Sequence, residues 1–233
     1  MLDRTKKAFS WSWSRLKNYR TCPKRHWHVD INKDFKEDES DALLWGNQVH
    51  DAMAKRIARG VALPNTMQRY DDWPARVLAM ASDGVVLKVE NKLAMDEMFQ
   101  PTSFFDNATW FRCVIDVLGL DLPKRTAFTI DWKTGGTVNP EFEQLGLSAQ
   151  VLFAQYPQID EVLALYVWLG HDTQTVKTYR RDDMKELWSN VLPEVRKMKV
   201  AHDQLNYPPQ PSGLCKRYCP VKACPYHGVG SPR

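Results

Sequence analysis

The stretch "WFRCVIDVLGLDLPKRTAFTIDWKTGG", residues 110–136, decides the fold. Its two apolar parts, residues 110–121 and 126–132, are rich in β-branched and aromatic residues, which favours strands. The segment "PKR" between them is typical of a turn. We therefore predict two successive strands, the second of which ends on an acid, a lysine and two glycines. Gly135 and Gly136 predict either a tight turn that a phosphate backbone can approach or a plain strand end.

A long helix is predicted upstream of these strands, from Ala42 to Arg59. Val49, Met53 and Ile57 repeat at helical spacing there, and Gly60 is the expected C-terminal cap. The other predicted elements are a short helix from Ser12 to Cys22, a loop at 61–73, a helix at 74–98 bent near Gly84, a helix that Asn139-Pro140 opens and that ends at Gln155, strands at 161–169 and 175–181, and a helix at 182–205. This order predicts an α/β fold with a mixed central sheet flanked by helices.

Composition and charge limit the classes of function. The 233 residues are 43% hydrophobic, enough for a substantial core, and the net charge of +4 is modest. The charge is uneven, because residues 4–25 hold eight Lys or Arg and no acid. Trp11, Trp13, Tyr19 and Trp27 lie in or beside that basic segment, a mixture that suits single-stranded nucleic acid, although the same aromatics could simply pack.

No apolar run approaches the length of a membrane span, and the N-terminus lacks the apolar middle of a signal peptide. We therefore expect an intracellular, cytoplasmic protein with no membrane partner. In that compartment the five cysteines favour metal or redox chemistry over disulfides.

The strand ending in "IDWK" carries a candidate catalytic pair. Strand alternation places Asp131 and Lys133 on one face, and Asp116 on the preceding strand can converge on it. Two adjacent carboxylates repel each other unless a cation neutralises them, and oxygen ligands suit Mg²⁺. Lys133 would then orient a nucleophilic water or offset negative charge. The alternative is a strand-end ion pair worth under about 1 kcal/mol. His50 is a candidate third ligand or else a packed histidine.

The cysteines form a second candidate site. Cys215, Cys219 and Cys224 have the spacing C-x3-C-x4-C, and Cys22 is the candidate for a fourth thiolate. Four thiolates bind either a 4Fe-4S cluster or zinc, and unligated buried cysteines are the remaining alternative. Cys113 lies within a strand and is expected to be a core residue. Three histidines near the other cysteines are alternative zinc ligands, with surface roles expected instead: His26, His28 and His227.

Four ordered segments resemble the PD-(D/E)XK nuclease superfamily, specifically its RecB-like branch, which includes the AddB nuclease and the small nuclease of CRISPR adaptation. They are "GNQVHDAM" at 46–53, "VID" at 114–116, "IDWKTG" at 130–135 and "QLGLSAQVLFAQYP" at 144–157. The resemblance implies one nuclease domain over residues 1–233 with a restriction-endonuclease-like core. Its expected segments are 1–41, basic and aromatic, 42–205, the core, and 206–233, rich in cysteine.

The resemblance also implies roles for individual residues. His50, Asp116 and Asp131 would bind Mg²⁺ or Mn²⁺, and Lys133 would activate or position the nucleophile. Gln144 would hold the site or the DNA backbone. The family often has a tyrosine four residues after that glutamine, whereas this chain has Ser148, which leaves the DNA contact open.

Iron–sulfur members of the branch have one cysteine before the nuclease core and three after it. This chain is similar, so Cys22, Cys215, Cys219 and Cys224 are predicted to hold a 4Fe-4S cluster that joins the N- and C-terminal segments, with structural Zn²⁺ as the alternative. The tail departs from the familiar C-x2-C-x5-C spacing, although the span from the first to the third cysteine is the same.

The predicted function is metal-dependent exonuclease action on single-stranded or frayed DNA ends, in recombination, repair or replication. A separate helicase or recombination partner is expected, because the chain has no helicase motifs. The alternatives are a non-catalytic nucleic-acid-binding module and a hydrolase of RNA. The basic residues predicted to contact the strand are Arg15, Lys17, Arg20, Lys24, Arg25, Lys216 and Arg217, with Lys222 beside them.

Overall fold

The computed structural model describes residues 8–37, 40–82 and 84–229. Contacts within the chain divide it into two compact units. The sheet unit is Ser40–Leu187, and the terminal unit is Met1–Glu39 together with Trp188–Arg233. The division into segments at 1–41, 42–205 and 206–233 stays a prediction.

The helices are α1 Trp13–Thr21, α2 Pro23–His26, α3 Asp41–Arg59, α4 Asp72–Ser82, α5 Phe142–Gln155 and α6 Met184–Gln204. The strands are β1 Val86–Met95, β2 Pro101–Thr102, β3 Phe111–Asp121, β4 Thr126–Lys133, β5 Glu161–Trp168 and β6 Thr173–Arg180. Among the residues described, no helix is long and apolar enough to cross a membrane.

The six strands form one mixed sheet in the order β2-β1-β3-β4-β5-β6, which confirms the predicted fold class. All neighbouring strands are antiparallel except β4 and β5, which are parallel. A parallel pair needs a long crossover, and α5 supplies it. The predicted pair of strands around the "PKR" turn is β3 and β4, in register from Val117↔Ile130 to Asp121↔Thr126.

Helix α3 covers one face of the sheet. Val49, Met53 and Ile57 are buried on it, as their helical spacing predicted, and they pack in one core with Ile130 and Trp132 of β4. Gly60 ends the helix in the left-handed conformation, and its N–H donates to the Arg56 carbonyl. Helix α5 lies on the opposite face. Its Gln144 contacts Asp131, which lies between Ile130 and Trp132 in β4 and therefore points away from α3.

Two sequence predictions were wrong. The helix predicted at 74–98 ends at Ser82, and β1 follows a turn at Gly84, where φ is 87°. Residues 86–95 become a strand because β3 pairs along their length, and β2 pairs with the last two of them, Ala94 and Met95. The helix expected to open at Asn139-Pro140 begins instead at Phe142.

Several short elements were not predicted, among them α2, which begins at the proline expected to end the first helix. The segment expected to be a loop at 61–73 contains a short 3-10 helix, Asn65–Tyr70. The edge strand β2 has only two residues, too few for an alternating pattern to show in the sequence.

The terminal unit contains α1, α2, residues 188–204 of α6 and the cysteine-rich tail. Trp11 is fully buried and meets Trp188 edge to face, with ring centroids 6.4 Å apart. His26 is also buried, and its Nδ1 lies 2.8 Å from the Asp30 carboxylate. At least part of the aromatic content of the N-terminal segment therefore serves packing.

Candidate active site

The end of β4 carries an acid and a lysine on the face opposite α3. The Lys133 ammonium lies 2.9 Å from Asp131 Oδ1, and both side chains are only partly exposed. Trp132, between them in sequence, is buried on the other face. The alternation predicted for this strand is therefore present.

Asp116 on β3 joins this strand end to α3. Its Oδ2 accepts a hydrogen bond of 2.9 Å from the backbone N–H of Trp132. His50 of α3 lies against the same two residues, with Nδ1 3.2 Å from Asp116 Oδ2 and Nε2 2.9 Å from the Trp132 carbonyl. One carboxylate thus holds both the β4 backbone and the helix histidine in place.

Glu90 on β1 belongs to the same cluster and was missed in the sequence. Val89 pairs with Val117 and Asn91 with Ile115, so Glu90 and Asp116 occupy the positions between those pairs. Glu90 has a φ of 48°, a left-handed conformation that costs a non-glycine residue about 1 kcal/mol or more. The wrong assignment of this segment to a helix removed the signal that would have found it.

One ligand atom each of His50, Glu90 and Asp116 lie within 4.8 Å of one another. Of the predicted metal set, the structure brings His50 and Asp116 together with Glu90. Asp131 is held instead by Lys133 and by Gln144, whose Nε2 donates to Asp131 Oδ2 over 2.8 Å.

The charges of this cluster fit a divalent cation. Burial raises the pKa of Glu90, and the charge of Asp116 raises it further. The pKa of Asp131 is raised to about 6, chiefly by burial. The Lys133 ammonium lowers this pKa, and the charge of Asp116 raises it. Carboxylates that repel one another in a partly buried site are relieved by a cation, and two carboxylates with an imidazole are suitable ligands for Mg²⁺ or Mn²⁺.

Tyr166 on β5 is a second residue that the sequence did not indicate. It lies directly beside Asp131 in the parallel pairing of β4 and β5. Its hydroxyl is 2.9 Å from Gln144 Oε1, so the amide NH₂ of Gln144 faces Asp131. The Lys133 ammonium lies 4.8 Å from the centre of the Tyr166 ring. Burial raises the pKa of Tyr166, which keeps the hydroxyl a neutral donor.

Ser148 takes no part in this arrangement. Its hydroxyl donates to the Gln144 carbonyl one turn back in α5, over 3.2 Å. The family position that often holds a tyrosine is therefore turned onto the helix backbone, while a tyrosine from β5 contacts the glutamine. Position in the sequence could not show this, because Tyr166 reaches the site only through strand pairing.

An open groove runs beside the cluster along the first turns of α3. Its lining includes Leu43, Gly46, Asn47 and His50 of the helix, and Glu90 from the sheet. A Cβ added at Gly46 would lie 3.2 Å from the Thr134 hydroxyl, so glycine keeps the helix close to the segment that follows β4.

The cysteine site lies in the terminal unit. Cys22, Cys215, Cys219 and Cys224 all line one cavity, and the backbone N–H of Gln210 donates to the Cys22 sulfur over 3.3 Å. Among the residues that the structure describes, no three of these sulfurs lie within 4.8 Å of one another. Burial raises the pKa of Cys219, and the neighbouring Cys215 raises it further.

Four other predicted ligand or core residues are not part of the lining of that cavity. His26 pairs with Asp30, His28 lies 3.0 Å from Asp34, and neither they nor His227 line the cavity. Cys113 lies in β3 opposite Leu93 and is half-buried, and burial raises the pKa of its thiol to about 12.

Three of the predicted DNA-binding cations have partners within the terminal unit. Arg15 donates to the Ser10 carbonyl over 3.2 Å, and Arg20 lies over the Trp13 ring. Arg25 bonds to Asn18 and Glu37. The nucleic-acid role of the predicted basic set stays a prediction.

Metal affinity should increase with pH. Burial lowers the pKa of His50, but its hydrogen bond to Asp116 and the nearby acid charges outweigh burial and raise the pKa above its ordinary value. Protons on His50 and Asp131 must leave before these groups can meet a cation. Mn²⁺ affinity should therefore rise from about pH 5 to about pH 8 with release of protons. Calorimetry in buffers of different ionisation heat measures both quantities.

A matched pair of histidine variants controls this experiment. His50→Asn should flatten the increase above about pH 6.5, whereas His171→Asn, at an exposed position between β5 and β6, should leave it unchanged. Affinity that does not vary with pH would contradict the assignment of His50 to the site.

Comparison with known proteins identifies the fold and the family of the chain. The chain is similar to a protein from Eubacterium rectale provisionally named an exonuclease, with a TM-score of 0.57 and 11% identity over 98% of this chain and 90% of that one. It also aligns with SSO0001 (TM-score 0.49, 13% identity, 97% of this chain and 91% of that one) and with LHK-Exo, solved in complex with dAMP (TM-score 0.36, 12% identity, 84% and 91%). No curated protein matches the chain. A family model of the PD-(D/E)XK nuclease superfamily matches residues 10–225, nearly the whole length, and the chain therefore belongs to that superfamily.

Proposed function

We propose that this protein is a divalent-metal-dependent DNA exonuclease of the RecB-like branch that hydrolyses single-stranded or frayed ends. The observation that carries the proposal is the convergence of His50, Glu90 and Asp116 beside the Asp131–Lys133 pair. In a chain of a nuclease superfamily, such a cluster is the natural place for phosphodiester hydrolysis.

The residues of the site have different proposed roles. His50, Glu90 and Asp116 would hold the cation, with Asp131 completing its surroundings. When bound, the cation stabilises negative charge on the phosphoryl group and lowers the pKa of water. Lys133 is placed by Asp131 and the Tyr166 ring, so its ammonium can offset charge that develops on the phosphate.

Gln144 and Tyr166 position the acid rather than meet the substrate. The Tyr166 hydroxyl fixes the direction of the Gln144 amide, and the amide donates to Asp131. The Asp131 carboxylate is held by Lys133 at one oxygen and by Gln144 at the other. It therefore keeps its orientation when a cation or substrate enters.

Three observations support action on DNA ends. The structural neighbour from Eubacterium rectale is provisionally named an exonuclease, and the first segment of the chain combines basic and aromatic residues. The groove along α3 is open to an extended strand. We propose that the protein acts inside the cell with a separate helicase or recombination partner, in recombination, repair or replication.

Cleavage of DNA should depend on metal and on the acid–lysine pair. End-labelled single-stranded DNA should be degraded with Mg²⁺ or Mn²⁺ and not with EDTA, and Asp131→Ala and Lys133→Ala should each reduce the rate about a hundredfold or more. Gel analysis of the labelled products measures the rate and gives the polarity.

Three controls sharpen the result. Lys124→Ala removes a lysine that is 74% exposed in the turn between β3 and β4, and it should leave cleavage unchanged. Duplex DNA and matched RNA test strand preference and the RNA alternative. A folded wild-type protein that binds DNA but cuts none of these substrates would favour a non-catalytic binding module.

Tyr166→Phe removes the hydroxyl that orients the Gln144 amide, a group that does not contact the substrate. It should therefore lower kcat about tenfold with little change in KM. The same change in a Gln144→Ala protein should have no additional effect, since the group that it orients is gone. Ser148→Ala should behave as wild type. Equal losses in the two backgrounds would show that Tyr166 acts independently of Gln144.

We further propose that Cys22, Cys215, Cys219 and Cys224 bind a 4Fe-4S cluster. Zinc with bonds of about 2.3 Å would bring its four sulfurs within about 4 Å of one another. The four cysteines come from both ends of the chain and line one cavity, the arrangement that the resemblance to iron–sulfur nucleases implies. Structural Zn²⁺ is the alternative.

Anaerobically purified protein should contain iron and absorb near about 400 nm. Cys22→Ala should lose iron and melt at a lower temperature, because one of four ligands is missing. Cys113→Ala, which removes a thiol outside the cavity, should keep its iron. Stoichiometric zinc without the absorption band would overturn the cluster.

A further inference from the structure

The sheet unit presents an aromatic and basic surface beside β1 and β3, in which Lys92 and Phe105 are exposed and Phe104 and Arg112 are half-buried. We call Lys92, Phe104, Phe105 and Arg112 the aromatic platform. Phe105 is 77% exposed, and its ring meets that of Phe104 edge to face, with centroids 5.0 Å apart. A large aromatic ring that gains nothing from a core points to an interaction surface.

The loop that carries these rings is fixed by its own hydrogen bonds. Asp106 Oδ1 accepts from the N–H of Ala108 over 2.8 Å, and the Thr109 hydroxyl donates to the Ser103 carbonyl over 2.8 Å. Thr109 itself is buried. The loop therefore holds the two phenylalanines in place before any ligand arrives, which lowers the entropy cost of binding.

Two cations accompany the rings. The Lys92 ammonium lies 5.9 Å from the centroid of each ring, and the Arg112 guanidinium lies 5.3 Å from that of Phe104. Aromatic faces interleaved with positive charge are what proteins use to bind unpaired nucleotides, since the rings stack on bases and the cations meet phosphates. A protein interface would be expected to have fewer charges at its centre.

The platform continues from the candidate active site along the same strands. Lys92 follows Glu90 by two residues, and Arg112 precedes Asp116 by four. At about 3.3 Å per residue, the platform extends from about 7 to about 13 Å from the acidic cluster. A few nucleotides of extended strand cover this distance.

Resting on the nuclease function proposed above, we propose that the aromatic platform binds unpaired bases of the DNA strand that is cut. Phe104 and Phe105 stack on bases, while Lys92 and Arg112 contact the neighbouring phosphates. A duplex hides the faces of its bases, so the platform favours single-stranded over double-stranded DNA.

The test compares Phe105→Ala with wild type in EDTA, where binding is separated from cleavage. Fluorescence anisotropy would follow labelled oligo(dT), an abasic oligonucleotide with the same number of phosphates, and a duplex. Phe105→Ala should weaken oligo(dT) binding about fivefold or more and leave the abasic strand and the duplex unchanged. Met98→Ala removes a side chain of the same exposure, 75%, between β1 and β2, and it should bind like wild type.

Two outcomes would contradict the proposed role of the platform. Equal affinity of Phe105→Ala and wild type for oligo(dT) would assign the surface to a different partner, such as a protein. An equal loss for the abasic strand or the duplex would show that base stacking is not the cause. The binding assay contains EDTA and so does not depend on metal. A negative result there would contradict the platform proposal and leave the proposal of metal-dependent cleavage untouched. Binding through Phe105 in a protein that never cleaves DNA would refute the nuclease proposal alone.

Discussion

The hydrogen bond from the Trp132 N–H to the Asp116 carboxylate is the contact on which the site depends. It places a β3 side chain against the backbone of β4, just beyond the last recorded pair of those strands, Val117↔Ile130. The same carboxylate is 3.2 Å from His50, and the adjacent carbonyl of Trp132 meets the other ring nitrogen of that histidine. Two strands and one helix thus converge at one point, and the Asp131–Lys133 pair at the end of β4 lies on either side of Trp132 in sequence.

This convergence concentrates negative charge. Glu90 and Asp131 both have raised pKa values, with burial as the first cause and Asp116 as a contributor. The left-handed backbone at Glu90 adds a local conformational cost. A protein keeps such an arrangement where function needs it, and the core that α3 forms with β4, around Met53 and Trp132, offsets the cost.

The parts of this fold that local pattern encodes were predictable. Strands β3 and β4 and the buried stripe of α3 follow from residue spacing, and the Asp131–Lys133 pair follows from strand alternation. Strand β1 did not, because "LKVENK" mixes polar residues and becomes a strand through its antiparallel pairing with β3. Glu90 was therefore not recognised as a residue of the site. Tyr166 was missed for a similar reason, since its position beside Asp131 comes from the parallel pairing of β4 and β5.

The most direct test of the account is anomalous diffraction from crystals of the protein soaked in Mn²⁺ and measured at the manganese absorption edge. The account predicts an anomalous peak within ligand distance of His50, Glu90 and Asp116, the group whose ligand atoms lie within 4.8 Å. A sheet unit with no peak there, or with manganese bound only at unrelated surface acids, would contradict the central claim that this cluster is a divalent-cation site.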